Sequence, residues 1–403
     1  SFLCNDPDLV DLVLRARPAD FPKSSRLREG LAPLLGRSVF VTNGAEWEAQ
    51  RRIIDPAFEG GRLRDVFADI AAAGEDAAAR IAAQAGREID LEPETSHAAA
   101  DAIFRTLFSL PIAHETAARV FAAFRAHQDA QPIVNLAALI PLPFWLPRLH
   151  GSRARKSAAE IRALIAGLVA ARQAELQAGR APDDLASKIM TTADPLTGQR
   201  FTEAEMVDQV AIFFLAGHET SASALSWALW LLAANPLWQD RVAAEARAVL
   251  GTGAPAFNAV PRLKLARAVF REAMRLYPPV PMMVREAARA ETFRGREVPR
   301  GAQIIVSPWH LHRHERLWDN PDGFDPARWE TASGKESARR AYIPFSAGAR
   351  VCPGAGFAMI EGPLMIAMIL RAARLEPGAA APIPIARLTV RGRDGISVRI
   401  AAR

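Results

Sequence analysis

Cysteine is nearly absent. Cys4 and Cys352 stand at opposite ends of the 403-residue chain, so no disulfide framework exists, and a reducing, cytoplasmic setting is the simple expectation. Lysine is scarce too: Lys23, Lys156, Lys188, Lys264 and Lys335 leave arginine to supply 45 of the 50 basic residues. The net charge of +6 is mild, and no basic run is interleaved with aromatics, which speaks against a nucleic-acid partner. No signal peptide is expected from the opening segment at Ser1. The stretch Ile133 to Pro147 is too short to span a bilayer and is rich in proline, and the apolar run near residue 215 is broken by His218 and Glu219, so no transmembrane helix is expected. Linkers and low-complexity breaks are also missing. Although 403 residues exceed the usual size of one core, a single domain over 1–403 is expected.

What is present centres on Phe345 to Glu361, F-S-A-G-A-R-V-C-P-G-A-G-F-A-M-I-E. Cys352 sits in a glycine-rich loop ahead of an apolar helix read over Phe357 to Arg371. Gly348, Gly354 and Gly356 permit tight turns, and Pro353 suits a first helical turn. A sulfur at a helix N-terminus meets unpaired N–H groups and the positive dipole end, which favour its anion. Such a thiolate can be a nucleophile or a metal ligand, and a lone cysteine can equally be a buried structural residue. A cysteine zinc site lacks further cysteines. Gly354-x-Gly356 is no dinucleotide fingerprint, because position 359 is Met.

The set Phe345, Gly348, Arg350, Cys352, Gly354, Phe357, Ala358 and Glu361 strongly resembles the haem-binding loop of the cytochromes P450, F-x-x-G-x-R/H-x-C-x-G, with no position departing. The resemblance implies that Cys352 is the axial ligand of haem b, with Phe345, Gly348 and Gly354 shaping the loop around it. It covers nearly the whole chain and implies the triangular P450 fold. An N-terminal strand and helix of that family are expected to fall outside this sequence, ahead of Ser1 to Pro18.

The local patterns agree with a mainly α chain carrying a small β region. Asp6-Pro7-Asp8 caps a helix to Arg17, and residues 18–44 read as loop because of Pro18, Pro22, Pro33, Gly36 and Gly44. Helices are expected at 45–57, 61–85, 94–108, 114–130, 153–178, 183–191, 236–250 and 260–277. Thr202 and Glu205 form a capping box opening the longest helix, to Asn235. Strands are expected at 281–291, 303–306, 386–391 and 396–400.

Inside the longest helix lies Ala216-Gly217-His218-Glu219-Thr220. A zinc-protease H-E-x-x-H is excluded because position 222 is Ala. Glycine in mid-helix costs about 1 kcal/mol against alanine, which points to a close approach there. A polar break making local backbone bonds is the plain alternative. The segment resembles the family's oxygen-activation motif, A-G-x-E/D-T. By that resemblance Thr220 hydrogen-bonds the bound dioxygen, Glu219 relays protons, and Ala216 and Gly217 lie against the cofactor.

Glu272-x-x-Arg275 places both side chains on one helix face. Alone it reads as a solvated pair worth about 0–1 kcal/mol. With Phe324-Asp325-Pro326-Ala327-Arg328-Trp329 it resembles the family's structural network of Glu272, Arg275 and Arg328, although Trp329 stands where phenylalanine is commoner. Trp47 and Arg51, four apart, resemble a W-x-x-x-R haem-propionate contact, and Arg285 and Arg350 match further propionate positions. Arg52 reads as surface. His310, His312 and His314 could form a metal site if they lay in a strand, but the resemblance instead implies a place near a helix beside the haem's proximal half.

The resemblance implies a monooxygenase that inserts one atom of O2 into an apolar substrate. Electrons would come from NAD(P)H through an acidic ferredoxin or flavodoxin with its reductase, docking near Arg51, Arg52, Arg339 and Arg340. A peroxide-driven peroxygenase and a haem-based sensor are the alternatives, and the Glu219–Thr220 pair argues against both. The substrate pocket is expected from Leu34, Leu35, Phe144, Phe213, Phe214, Val280, Met282, Met283 and Ile396, with Asn135 and Arg37 as the evident polar candidates. So apolar a lining points to a medium or large hydrophobic compound, such as a fatty acyl, terpenoid or polycyclic molecule.

Overall fold

A computed structural model describes residues 1–129 and 152–403. The first half is almost wholly helical. After strand β1 (Phe2–Cys4) come α1 (Pro7–Asp11), a π-helical turn to Ala16, α2 (Ser25–Leu35), α3 (Gly44–Ile54), α4 (Gly60–Asp65), α5 (Phe67–Ala82), strand β2 (Glu88–Asp90), α6 (Leu91–Phe108) and α7 (Glu115–Asp129). Then follow α8 (Ser152–Gln177), α9 (Leu185–Thr191), α10 (Glu203–Ala234), α11 (Pro236–Leu250) and α12 (Lys264–Leu276). The C-terminal part mixes β3 (Met283–Glu286), β4 (Glu291–Phe293), β5 (Arg296–Val298), β6 (Gln303–Val306), α13 (Pro308–Leu311), α14 (Ala332–Ala341), α15 (Ala355–Ala372), β7 (Ala373–Pro377), β8 (Pro384–Ala386), β9 (Val390–Gly392) and β10 (Ser397–Ala402).

Caps set several of these boundaries. Asp6, Asp90 and Asp184 accept backbone N–H bonds at the starts of α1, α6 and α9. The Thr202–Glu205 capping box opens α10, as its spacing predicts. The reading of 18–44 as loop misses α2: Pro33 falls in its last turns, and Gly36 ends it at φ 49°. Strands β1, β2, β4, β5 and β7 and helix α14 also went unread. These strands are short: β4 and β5 pair with each other, β1 pairs with distant β6 in parallel, and β2 and β7 lie on either side of β10.

α10 runs through the core against α6, α8 and α12, and α15 packs on α5, α11 and α12. α15 is the one described helix long and apolar enough to cross a membrane, but it is mostly buried inside the protein. Eleven of its residues, Phe357 and Glu361–Leu370, are buried.

The Glu272 carboxylate fixes the irregular chain between α13 and α14. Arg275 pairs with both of its oxygens at 2.8 and 3.0 Å, and Arg328 Nε reaches Oε1 at 2.9 Å. The remaining guanidinium protons donate to the carbonyls of His312, Asp319, Asn320, Pro321 and Gly323. Glu272 and Arg275 are fully buried, so the pair is not a solvated one. Trp329 is buried against Tyr342 and under Arg271, 4.0 Å from the guanidinium carbon. Removing the acid would strand two buried cations. Glu272→Ala should therefore cost about 3–5 kcal/mol in denaturant unfolding; a midpoint unchanged from wild type would contradict this role.

Candidate active site

The cysteine loop is held from behind. His312 is buried and neutral, its pKa pushed down to about 3 by burial and by nearby Arg275. Its Nε2 accepts the Ile343 N–H at 2.9 Å, which leaves the ring proton on Nδ1. That bond carries the Glu272 network to the root of the loop, and it occupies the histidine rather than leaving it for a metal. Further along, the Cys352 N–H donates to Phe345 O at 2.9 Å. Gly348 has φ 67°, and a Cβ there would stand 2.0 Å from Leu14 O, so no other residue fits without moving that backbone.

From the front, α3 and its preceding turn grip the loop. Arg51 Nη1 donates to Val351 O at 2.8 Å while its Nε pairs with Asp55. Arg350 donates to Thr42 O and Asn43 Oδ1, at 2.9 and 2.8 Å, and its guanidinium lies 4.2 Å from the Trp47 ring centre. Cys352 is reachable by solvent, yet enough protein surrounds it for burial to push the thiol up. The Gly354 N–H and Arg51 pull the other way, without overcoming burial. Burial thus opposes the anion that the Gly354 N–H and Arg51 favour.

Three basic groups converge beside the loop. Arg285 in β3 is 2% exposed, and its one described hydrogen bond goes to Val284 O. Burial pushes the pKa of both Arg285 and Arg350 down to about 10. Lys23 was not read from sequence. It bridges to Arg285, lies over the Phe40 ring at 4.1 Å, and is held well below its usual pKa by burial and by the two arginines. Asn43 exchanges hydrogen bonds with the Lys23 backbone and so ties it to Arg350. Among the described residues none of the three cations has a carboxylate partner. Such a set is stable only opposite anions, and the two propionates of haem match it in charge. Together with the accessible sulfur, the residues present fit haem. Lys23 left a faint sequence signal as one of five lysines, but its role depends on a bridge to residue 285.

On α10 the residues that are not fully buried over 206–229 are Phe213, Ala216, Gly217 and Thr220. They follow i, i+3, i+4, i+7 spacing and form one stripe. Thr220 Oγ1 donates to Ala216 O at 2.6 Å, the local backbone bond that the plain reading anticipated. The close approach at Gly217 is with α6, since an added Cβ would lie 2.5 Å from Ile103 Cδ1. Glu219 is buried beside the stripe. Its carboxyl is pushed up to about 7 by burial, against the pull of Arg391, whose Nη2 donates to Oε1 at 2.9 Å. One residue beyond Thr220, Ser221 Oγ donates to Glu361 Oε2 of α15 at 2.5 Å. That bond joins the helix bearing Thr220 to the helix that leaves the cysteine loop.

Of the pocket residues, Val280, Met282, Met283 and Phe213 are at least partly exposed. Leu34, Leu35 and Ile396 are buried in the core, and Phe214 stacks into Phe104, Phe108 and Phe124. Phe144 and Asn135 lie outside the described residues. Arg37 is spent on Glu46, and Arg52 is matched bidentately by Asp194.

The Cytochrome P450 family model matches residues 1–397. Cyclooctat-9-en-7-ol 5-monooxygenase of Streptomyces melanosporofaciens is 34% identical over 381 residues, covering 94% of this chain and 80% of that protein. Cyclooctatin synthase of the same organism is 33% identical, covering 92% and 80%. The crystal structure of the cytochrome P450DA heme domain superposes with a TM-score of 0.86 at 24% identity, over 100% of this chain and 87% of that one, a likeness of fold.

Glu361 generates a pH dependence. Burial pushes its carboxyl from 4.5 to about 8, so the folded state holds a proton that the unfolded state releases. Stability should fall as pH rises through the window from 4.5 to about 8. Glu361→Gln should flatten that slope in unfolding experiments; an unaltered slope would refute the buried-acid assignment.

Proposed function

The chain belongs to the cytochrome P450 family, and from that premise we propose that Cys352 is its iron ligand, that Glu219 and Thr220 move protons, and that a large apolar compound is its substrate. The protein is a haem-thiolate monooxygenase, taking haem b through a cysteine thiolate. When bound, the haem supplies reductive activation of O2, one atom going to substrate and the other to water.

The chain's own residues do the rest. Lys23, Arg285 and Arg350 hold the propionates, with Trp47 flanking Arg350 and Arg51 bracing the Val351 carbonyl. Thr220 has committed its own proton to Ala216 O. Its oxygen lone pairs therefore face outward as acceptors, able to orient a proton donor. Glu219, with a pKa near 7, exchanges protons in either direction at neutral pH. The observation that carries this reading is the Ser221–Glu361 bond, because it locks the proton-handling segment to the cysteine helix.

The electron donor in this reading is an acidic ferredoxin or flavodoxin with its reductase, drawn by a net charge of +6. Arg51, Arg52 and Arg339 each pair with an acid, so the docking field is weaker than the sequence implied. For the substrate, Val280, Met282, Met283 and Phe213 offer apolar contact, and two relatives bear the names of cyclooctatin and cyclooctat-9-en-7-ol. That supports the ring-bearing members of the hydrophobic class.

Cys352→Ala should abolish the strongly red-shifted Soret band of the reduced carbon-monoxide complex; a spectrum indifferent to the substitution would sink the ligand assignment. Thr220→Ala should bind substrate normally but divert reducing equivalents to hydrogen peroxide, and full coupling in that variant would refute its role. In a panel graded by size and polarity, ring-bearing apolar compounds should give the tightest low-to-high-spin shift. Tightest binding by small hydrophilic compounds would overturn the substrate class.

A further inference from the structure

A second face of α10 lines a separate polar cavity. Glu219, Ala222, Ser223 and Ser226 share that face, turned roughly a third of a turn from the Phe213–Thr220 stripe. The opposite walls are Asp90, Glu92 and Ser96 at the start of α6, Arg125 of α7, and Thr389 and Arg391 of the β8–β9 hairpin. The volume is about 190 Å³, enough for several waters, and the walls are rich in their hydrogen-bond partners.

Glu219 is the more deeply buried of the pair, its side chain 3% exposed against 27% for Arg391. Oε1 takes the Arg391 bond, whereas Oε2 is buried with no hydrogen-bond partner among the described residues. The hairpin carrying Arg391 is fixed by Glu92 Oε1, which accepts the Gly392 N–H at 2.8 Å. His218, the neighbour of Glu219, is neutral and engaged with Ser96 Oγ, so it competes for no proton here. The charged groups facing Glu219 are Arg391 of β9, Glu92 and Asp90 at the α6 start, and Arg125 of α7.

We propose that this cavity is the port through which solvent protons reach Glu219, and that Arg391 is the positioning residue that holds the carboxylate between transfers. This rests on the reading of Glu219 as a proton carrier. A hydronium in the cavity gives one proton to the carboxylate, forming the O–H bond and leaving water. The neutral acid is held less tightly by Arg391, because the charge-assisted component of the bond is gone. Passing the proton on toward the Thr220 face restores the carboxylate, and the ion pair re-forms. No electrons are exchanged.

The test is infrared titration of the resting holoenzyme, following the carboxylic-acid band that Glu219→Gln removes. Arg391→Gln should raise the midpoint by about one pH unit or more, since the arginine opposes burial. Arg391→Lys should keep it close to wild type. Ala222→Leu, which fills the cavity, should slow hydrogen–deuterium exchange of the same band several-fold without moving its midpoint much. An unmoved midpoint in Arg391→Gln, or unchanged exchange in Ala222→Leu, overturns the proposal. If Glu219→Gln instead turns over at the wild-type rate with full coupling, the relay reading itself fails, and the two failures are told apart because the band is read without turnover.

Discussion

One carboxylate, Glu272, anchors the irregular chain between α13 and α14. Two guanidiniums converge on it, and five backbone carbonyls converge on them in turn. Backbone without regular hydrogen bonding must find other partners when buried. Here arginine donors supply them. His312 then passes this order to Ile343, and the loop to Cys352 starts from a fixed point. A flexible loop could not hold a sulfur to the precision a metal bond needs.

Around the sulfur the charges are sorted with a purpose. Acids and bases pair in many surface bridges and in the Glu272 network, whereas Lys23, Arg285 and Arg350 meet without an acid among the described residues. On the other side, Glu219 and Glu361 are acids pushed toward neutrality by burial. In the proposed function these cations face the cofactor's carboxylates, and Glu219 is the acid that exchanges protons.

Much of this was legible in the sequence because chemistry restricts it to particular residues at fixed spacings. The cysteine loop, the Glu219–Thr220 step and the Glu272–Arg275 pair were read from short segments. Long periodic helices such as α10 were equally legible, and the capping box gave the start of α10 to the residue. What escaped depends on tertiary pairing. Lys23 acquires its role from a bridge across 262 positions of chain, and Arg391 meets Glu219 only because the β8–β9 hairpin folds onto α10. Helix α2 was hidden by proline and glycine signals that, in place, only shape its end. Gly217 was read as a close approach, and the neighbour that an added Cβ would meet is Ile103 of α6, which periodicity alone does not name.

The cysteine loop has its wall at Leu14, its brace at Arg51 and its clasp at Thr42, each roughly 300 residues earlier in the chain. Loop closure over such separations comes late, after local helices have formed. A ribosome must therefore have released nearly the whole polypeptide before a cofactor pocket exists. A nascent chain stopped before Arg350 carries Lys23 and Arg285 but not the cysteine loop. Cofactor supply in the cell thus meets a finished or nearly finished chain, and a shortage of it would leave behind full-length apoprotein rather than truncated intermediates.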